Sequence, residues 1–178
     1  LATGKPVVLI MFGGRAQVVA GIAERCAAVI QAWYPGEEGG NAVADILYGN
    51  VSPSAKLSVS YPNEEVYEPL CYNYSAELDS RVAWPFGYGL SYTTFTYGDF
   101  QLASSAKVGE TIKVVVPVTN SGKMDGDEII QVYLKKQGDD EGPIKALRAF
   151  KRVNIPAGKT LNVELELTPK QLEWWNPE

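Results

Sequence analysis

WPFGYGLSYTTF, residues 84–95, separates two differently patterned halves of this chain. The segment holds five aromatic residues, two glycines and one proline within twelve positions. Pro85, Gly87 and Gly89 oppose a helix, because proline breaks helical hydrogen bonds and glycine lowers helix stability. A solvated loop would not carry so many aromatic side chains, since each has a large apolar area to bury. The segment therefore predicts a rigid connector between two folded bodies.

The half that precedes the connector has the pattern of an α/β domain. Pro6–Phe12 is a continuous apolar run, which predicts a strand buried on both faces of a parallel sheet. Ala16–Ala28 carries a helical stripe of apolar residues, and Ala28–Trp33 predicts a second short strand. Asn41–Tyr48 predicts a second helix, which ends at Gly49. The order strand, helix, strand, helix is typical of a βαβ unit.

The half that follows the connector, residues 92–178, has the pattern of an all-β domain. Thr111–Thr119 is rich in β-branched residues, and Asp127–Lys135 has an apolar centre. Leu161–Leu167 alternates strictly between apolar and polar positions, as in a strand with one buried face. Turns containing glycine and proline separate these runs, which indicates a β-sandwich. The predicted fold class is α/β, with part of a parallel-sheet domain, followed by an all-β sandwich.

Five segments resemble glycoside hydrolase family 3. Residues 84–95 are similar to the family's PFGYGLSYTTF joint, and residues 33–49, WYPGEEGGNAVADILYG, to its W-x-x-G-x-E-G-G-x-A-x-A-D-x-L-x-G segment. Residues 50–62, NVSPSAKLSVSYP, resemble NPSGKLPVTFP, with Ala55 and Ser58 where the family usually has Gly and Pro. Residues 118–122, VTNSG, and 146–153, ALRAFKRV, resemble segments of the family's fibronectin type III-like domain.

The resemblance implies three regions. Residues 1–62 would be the C-terminal half of the family's α/β sandwich domain, and residues 63–91 a linker and joint. Residues 92–178 would be a fibronectin type III-like domain without its last strands, because about seven strands are expected of such a sandwich. The chain opens at Leu1 without an initiator Met. We therefore expect it to be a segment of a longer protein.

The resemblance also implies an activity, which would be that of the intact protein. Family 3 contains β-glucosidases and β-xylosidases that retain anomeric configuration, with one carboxylate as nucleophile and another as general acid and base. In relatives, the nucleophile lies in an N-terminal barrel and the acid/base in a loop upstream of the position matching Leu1. We therefore expect a retaining exo-glycosidase for terminal non-reducing β-D-glucosyl residues, with no catalytic residue in this segment and no cofactor or metal. The substrate would bind through the N-terminal barrel.

Two alternatives remain open from the sequence. The chain could instead be a non-catalytic carbohydrate-binding or structural module that uses exposed aromatic residues. Within the enzyme hypothesis, the sugar could be glucose, xylose or another, because specificity would lie mostly in the barrel.

Arg15 and Glu38 are the candidate substrate-binding residues. Arg15 follows Gly13-Gly14 at the predicted carboxyl end of a strand, where α/β sheets bind ligands, and the motif does not match a nucleotide-binding loop. It could approach a sugar or, as isolated surface arginines do more often, brace an interface. Glu37 and Glu38 precede a helix, where a negative charge interacts favourably with the helix dipole. That structural role is favoured over acid/base catalysis.

Other candidate sites have simpler explanations. Asp139–Glu141 predicts a solvated hairpin tip and Asp125–Glu128 a turn leading into a strand, since neither has the ligand spacing of a calcium loop. The tryptophan pair at 174–175 predicts core residues that have lost their cover in a truncated sandwich, rather than a sugar-stacking platform. Cys26 and Cys71 predict two free thiols. The chain has no His, which excludes His-based triads and most zinc sites within it.

Composition excludes several functional classes and leaves partners open. The formal net charge of −5 argues against nucleic acid, and no apolar run approaches the roughly 20 residues that span a bilayer. A sandwich without its last strands would expose an unpaired edge, so either a homodimer through that edge or poor solubility is expected. The family resemblance alone favours a periplasmic or secreted location.

Overall fold

The computed structural model describes residues 4–63, 70–139 and 142–174. Their contacts divide the chain into two compact units. Unit 1 comprises Leu1–Val51, Lys56–Tyr88 and Asp139–Ile144, and unit 2 comprises Ser52–Ala55, Gly89–Gly138 and Lys145–Glu178.

Unit 1 is built on a parallel pair of strands. Strand β1 (Val8–Phe12) pairs with β2 (Ala28–Trp33), with Ile10 opposite Ile30. Helix α1 (Ala20–Ala23) lies on the crossover between them. The two strands predicted from the apolar runs are confirmed, and they form the expected βαβ start. The predicted burial of the first strand on both faces was wrong within this chain, because Val8 is 42% and Phe12 58% exposed.

The first helix is much shorter than predicted, so the expectation for Ala16–Ala28 was wrong. Only the four residues of α1 are helical. The N–H groups of Arg25 and Cys26 donate to carbonyl oxygens three residues earlier, which tightens the chain into turns. Ala27 N–H then donates to Val7 O at 2.8 Å. Pairing with the neighbouring strand therefore takes over where the helical stripe would have continued.

The second helix and its end are as predicted. Helix α2 (Gly39–Leu47) begins two residues earlier than expected. Gly49 N–H donates to Ile46 O at 3.1 Å and Asn50 N–H to Asp45 O at 2.9 Å, which is a Schellman cap. Gly49 has φ 76°, a conformation that favours glycine.

A short antiparallel pair completes the regular structure of unit 1. Strand β3 (Tyr61–Pro62) pairs with β4 (Val82–Trp84), and the 3₁₀ helix Ala76–Arg81 precedes β4. The rings of Tyr61 and Trp84 meet edge to face, with centroids 6.0 Å apart. Both cysteines are free thiols, as predicted.

The aromatic connector is bound within both units. In unit 1, Leu57 N–H donates to Tyr88 O at 2.7 Å and Gly87 N–H to Leu57 O at 2.8 Å. In unit 2, Tyr92 N–H donates to Ser52 Oγ at 3.1 Å. Each half of the connector is therefore fixed to its own unit through its backbone N–H or C=O groups.

Unit 2 is a β-sandwich, and all its strand pairings are antiparallel. One sheet has the order β10–β7–β5, with β6 also paired to β7, and the other pairs β8 with β9. The strands are β5 (Phe95–Tyr97), β6 (Gln101–Leu102), β7 (Ile112–Asn120), β8 (Gly126–Leu134), β9 (Ala146–Ile155) and β10 (Thr160–Leu167). Together with unit 1, this confirms the predicted fold class.

The core of unit 2 lies between its two sheets. Val118, Val163 and Leu165 come from one sheet, and Ile130 and Ile155 from the other. A short helix, α3 (Pro169–Leu172), follows β10. In the described ranges the longest helix is α2, with nine residues, so none has the length to cross a bilayer.

A buried asparagine holds the turn after β7. Asn120 is 0% exposed. Its side-chain amide donates to the carbonyl oxygens of Met124 and Ile155, both at 2.8 Å. Its Oδ1 accepts hydrogen bonds from Thr93 Oγ1 at 2.5 Å and from Gly122 N–H at 3.1 Å. The side chain therefore joins residues that are far apart in sequence.

Candidate functional site

The candidate site of unit 1 is the edge where its two parallel strands end. The Gly13–Arg15 loop follows β1, and the segment Tyr34–Glu38 follows β2. Because β1 and β2 run in the same direction, both segments leave the sheet at its carboxyl edge. In open α/β sheets this edge is where ligands bind.

Gln31 fixes the backbone at this edge. Its Nε2 donates to Gly13 O at 3.1 Å, and Tyr61 OH donates to Gln31 Oε1 at 2.7 Å. Gly13 N–H in turn donates to Trp33 O at 3.1 Å. Burial raises the pKa of Tyr61, so its hydroxyl stays protonated and remains a donor. The Gly13 loop is thus tied to β2 and β3.

Trp33 is strained at the end of β2. Its φ is 54°, and among the described residues Trp33 alone has a positive φ without being a glycine. The β1–β2 register shifts at the same place, since Met11 lies opposite Gln31 but Phe12 lies opposite Trp33. A bulge of this kind re-aims side chains next to functional sites, and backbone strain tends to cluster there.

Tyr34 lies against the Gly14 backbone. A Cβ atom at Gly14 would be only 2.6 Å from Cε2 of the tyrosine ring. A larger residue at position 14 would therefore push the ring away. Tyr34 itself is 80% exposed, so one aromatic face remains available at the edge.

The structure places both predicted binding residues at this edge but shows no contact between them. Arg15 is exposed in the loop after β1. Glu38 is the N-cap residue of α2, where its charge interacts favourably with the helix N-terminus. Its carboxylate accepts a hydrogen bond from Asn41 Nδ2 at 2.5 Å. Glu37 is also exposed.

Gln31, Trp33 and Tyr61 are the residues of this edge that the sequence analysis missed. One signal was present, because Gln31 is the polar residue within an otherwise apolar strand. Such a side chain needs hydrogen-bond partners when it is removed from water. The strain at Trp33 has no sequence signal of its own.

The remaining sequence candidates take structural roles. Asp139 Oδ1 accepts a hydrogen bond from Gly142 N–H at 2.9 Å, and residues 140–141 lie outside the described residues. The predicted turn at Asp125–Glu128 is shorter than expected, because β8 already begins at Gly126. Within the described part of the chain, no group of three His, Cys, Asp or Glu residues could hold a metal ion.

Trp174 is only partly covered, which agrees with the prediction of a core residue that has lost its cover. The Arg148 guanidinium stacks on the Trp174 ring at 4.6 Å from the centroid. The second tryptophan of the pair, at position 175, lies outside the described residues.

Comparison with known proteins gives the family. The profile of the glycosyl hydrolase family 3 C-terminal domain matches residues 1–92, and that of the fibronectin type III-like domain matches residues 128–178. The chain is 43% identical to a xylan 1,4-beta-xylosidase of Xylanibacter ruminicola, over 99% of this chain and 21% of that protein. It is 34% identical to a periplasmic beta-glucosidase of Salmonella typhimurium, over 99% of this chain and 26% of that protein.

Solved structures give the same result. A beta-glucosidase from Listeria innocua, in complex with isofagomine, matches with a TM-score of 0.88 and 34% identity, over 99% of this chain and 27% of that one. A beta-glucosidase from Erythrobacter marinus matches with a TM-score of 0.89 and 34% identity, over 98% of this chain and 24% of that one. The chain spans about a quarter of the length of these relatives. It belongs to glycosyl hydrolase family 3, of which it carries the C-terminal domain and a fibronectin type III-like domain.

Proposed function

We propose that the intact protein is a retaining exo-glycosidase that removes terminal non-reducing β-D-glucosyl residues. The observation that carries the proposal is the match over 99% of this chain to a β-glucosidase of known structure, at a TM-score of 0.88. In this proposal the chain is a structural part of the enzyme. The two carboxyl groups that retention requires would lie upstream of Leu1, as the family resemblance implies, and neither metal nor cofactor takes part.

We assign Arg15 and Glu38 to the substrate side of the sheet edge. Arg15 would donate hydrogen bonds to sugar hydroxyls, while Glu38, bound to Asn41, would shape the loop before α2. The hydrogen bonds from Tyr61 to Gln31 and from Gln31 to Gly13 support this assignment, because they hold the loop that carries Arg15 in place. Positional precision matters in an active site, since a shift of about 1 Å can cost about a hundredfold in rate.

A β-xylosidase is the second candidate for the intact protein. The relative at 43% identity is named a xylan 1,4-beta-xylosidase, whereas the β-glucosidase of Salmonella typhimurium stands at 34%. Glucose and xylose differ by one hydroxymethyl group, so a few contacts in the barrel would decide between them. We also propose a periplasmic or secreted location, which the name of the Salmonella relative supports.

The test compares this chain with its full reading frame on p-nitrophenyl β-D-glucoside and p-nitrophenyl β-D-xyloside. We expect activity only in the longer protein, with a higher kcat/KM for the glucoside. A higher value for the xyloside would favour the second candidate. Activity in the 178-residue chain alone would place a catalytic carboxylate here and contradict the proposal. An inactive longer protein would favour the non-catalytic module instead.

Arg15→Ala in the full-length protein tests the assignment at the sheet edge. Losing a charged hydrogen bond to the sugar should lower kcat/KM by about tenfold or more. Arg25→Ala is the matched control, because Arg25 is an exposed arginine of the same unit that lies after α1. Equal activity of the two variants would show that Arg15 does not contact the substrate.

A further inference from the structure

Unit 2 carries a groove between the neighbouring edges of its two sheets. The groove has a volume of about 490 Å³ and lies between β9 and β10, with α3 at one end. Its polar and aromatic lining consists of Arg148, Phe150, Lys151, Glu164, Glu166 and Gln171. The two strands are in contact but belong to different sheets, so the sandwich is open along this side.

Side chains hold the walls of the groove in place. Gln171 Nε2 donates to Arg148 O at 2.6 Å, which ties α3 to β9. Lys151 Nζ donates to the backbone carbonyl of Glu164 at 3.3 Å and so ties β9 to β10. The capping box between Thr168 and Gln171 fixes the start of α3. The groove is therefore formed before any ligand binds.

At one end of the groove, Arg148 is fixed by an aromatic ring and has an unsatisfied hydrogen-bond donor. Its guanidinium stacks on the ring of Trp174, and its Nε–H is shielded from solvent without an acceptor. No carboxylate among the described residues pairs with it. A guanidinium fixed by stacking loses little freedom when its remaining N–H groups bind a ligand.

The lining combines donors, acceptors and an apolar surface. Arg148 and Lys151 offer N–H donors, whereas Glu164 and Glu166 offer carboxylate acceptors. Lys113 lies 2.7 Å from Glu164 and 3.7 Å from Glu166, so the charges of the groove are nearly balanced. Balanced charge disfavours an anionic ligand, which would meet the two carboxylates. A neutral ligand with many hydroxyl groups would fit this lining, because each hydroxyl can accept a hydrogen bond from Arg148 or Lys151, or donate one to the two carboxylates.

The aromatic surface adds the second requirement of a sugar site. Phe150 is 68% exposed on a strand and lines the groove. Exposed aromatic rings provide apolar faces on which the C–H face of a pyranose can pack. Aromatic walls with a few polar groups are the usual composition of small-molecule sites.

We propose that this groove binds a neutral, β-linked oligosaccharide, with one sugar ring packed on Phe150 and hydroxyls bonded to Arg148 and Glu166. The choice of a β-linked glycan rests on the proposed glycosidase function. Binding at the groove does not require the activity, so the two proposals can fail separately.

The test is calorimetric titration of the 178-residue chain with cellohexaose and xylohexaose. We expect saturable binding of at least one of them, and Phe150→Ala should weaken it by about tenfold through the lost ring contact. Phe100→Ala is the matched control, because Phe100 lies in the same unit, is 63% exposed and does not line the groove. Its binding should equal that of the unchanged chain.

Three outcomes would overturn the proposal. The first is no saturable binding of either hexasaccharide, and the second is equal weakening in both variants. The third is a shift from dimer to monomer in Phe150→Ala by size-exclusion chromatography, without any loss of glycan binding. That result would make the groove a contact between copies of this chain, in line with the dimer expected from the sequence.

Discussion

The two units of this chain differ in how their apolar residues are buried. In unit 2, Ile130 is 2% exposed and sits with four other residues in a closed core between two sheets. In unit 1, Ile22 on α1 is 51% exposed, and Phe12 at the end of β1 is also exposed. Both units have well-formed elements. Local pattern therefore sets most of the strands and helix α2, whereas the length of α1 and the burial of apolar residues depend on what packs around them.

This difference follows from the two kinds of sheet. The antiparallel strands of unit 2 need to bury one face each, and two sheets satisfy that requirement for each other. The parallel pair β1–β2 is apolar on both faces, as parallel strands are when layers cover both sides. The described residues of unit 1 cover only part of those faces. We therefore expect the two units to respond differently to equivalent substitutions.

The largest loss of stability is expected from removing the polar side chain whose hydrogen bonds join separate segments in each unit. Asn120→Ala in unit 2 removes the side-chain donor to the carbonyl oxygens of Met124 and Ile155 and should lower the free energy of unfolding by about 3 kcal/mol. Gln31→Ala in unit 1 removes a half-buried side chain and should cost about 1 kcal/mol. Native-state hydrogen exchange of the β7 and β2 amides would report the two units separately. Equal losses would contradict the comparison.

A smaller effect is expected from removing one methyl group in each unit. Ile130→Val should lower the free energy of unfolding by about 1 kcal/mol, because it leaves space in a closed core. Ile22→Val, the same change at a half-exposed site, should change it by less than about 0.5 kcal/mol. Urea unfolding followed by hydrogen exchange would measure both. A comparable cost at Ile22 would show that unit 1 buries this residue better than its exposure indicates.

The smallest effect concerns alkaline pH. Burial, and then the hydrogen bond to Asp79, raise the pKa of Tyr74 in unit 1 to about 12, from an ordinary value of 10.0. Because the folded state holds this proton more tightly, the associated stability is present below pH 10 and is lost as the pH rises toward 12. Tyr74→Phe should therefore flatten the alkaline loss of helical circular dichroism, to which α2 contributes most.

Two variants serve as references for that titration. Tyr48→Phe changes an exposed tyrosine of unit 1 and should leave the alkaline transition where it is. Tyr97→Phe acts in unit 2, where burial and then the bond to Glu128 raise the pKa of Tyr97. Its effect should appear in the β-sheet signal rather than in the helical one. A transition that Tyr74→Phe leaves unchanged would mean that Tyr74 does not control it.

The sequence predicted the elements whose patterns are local. The apolar run at β1, the alternation of β10 and the glycine stop at Gly49 each have one physical cause within a few residues. Helix α1 was overestimated, because an amphipathic stripe cannot reveal that Ala27 will pair with Val7. Regions without a pattern, such as the 3₁₀ helix before β4, gave no signal.

The candidate site was predicted only in part. Arg15 and Glu38 were found because they border predicted strand and helix ends. Gln31 and Tyr61 are 30 residues apart, and only the folded chain brings their hydrogen bond to the Gly13 loop. The strain at Trp33 arises from a bulge in the register with β1, which depends on two strands at once.

The Asn120 side chain also constrains the order in which unit 2 can form. Its partners Thr93 and Ile155 lie 27 and 35 residues away, on opposite sides in the sequence. Long segments must therefore be brought together, at a cost in chain entropy, before these hydrogen bonds can form. Contacts between residues that are distant in sequence slow folding for this reason. We therefore expect the hydrogen bonds of Asn120 to form late in folding, so that they slow the unfolding of unit 2 more than they speed its folding.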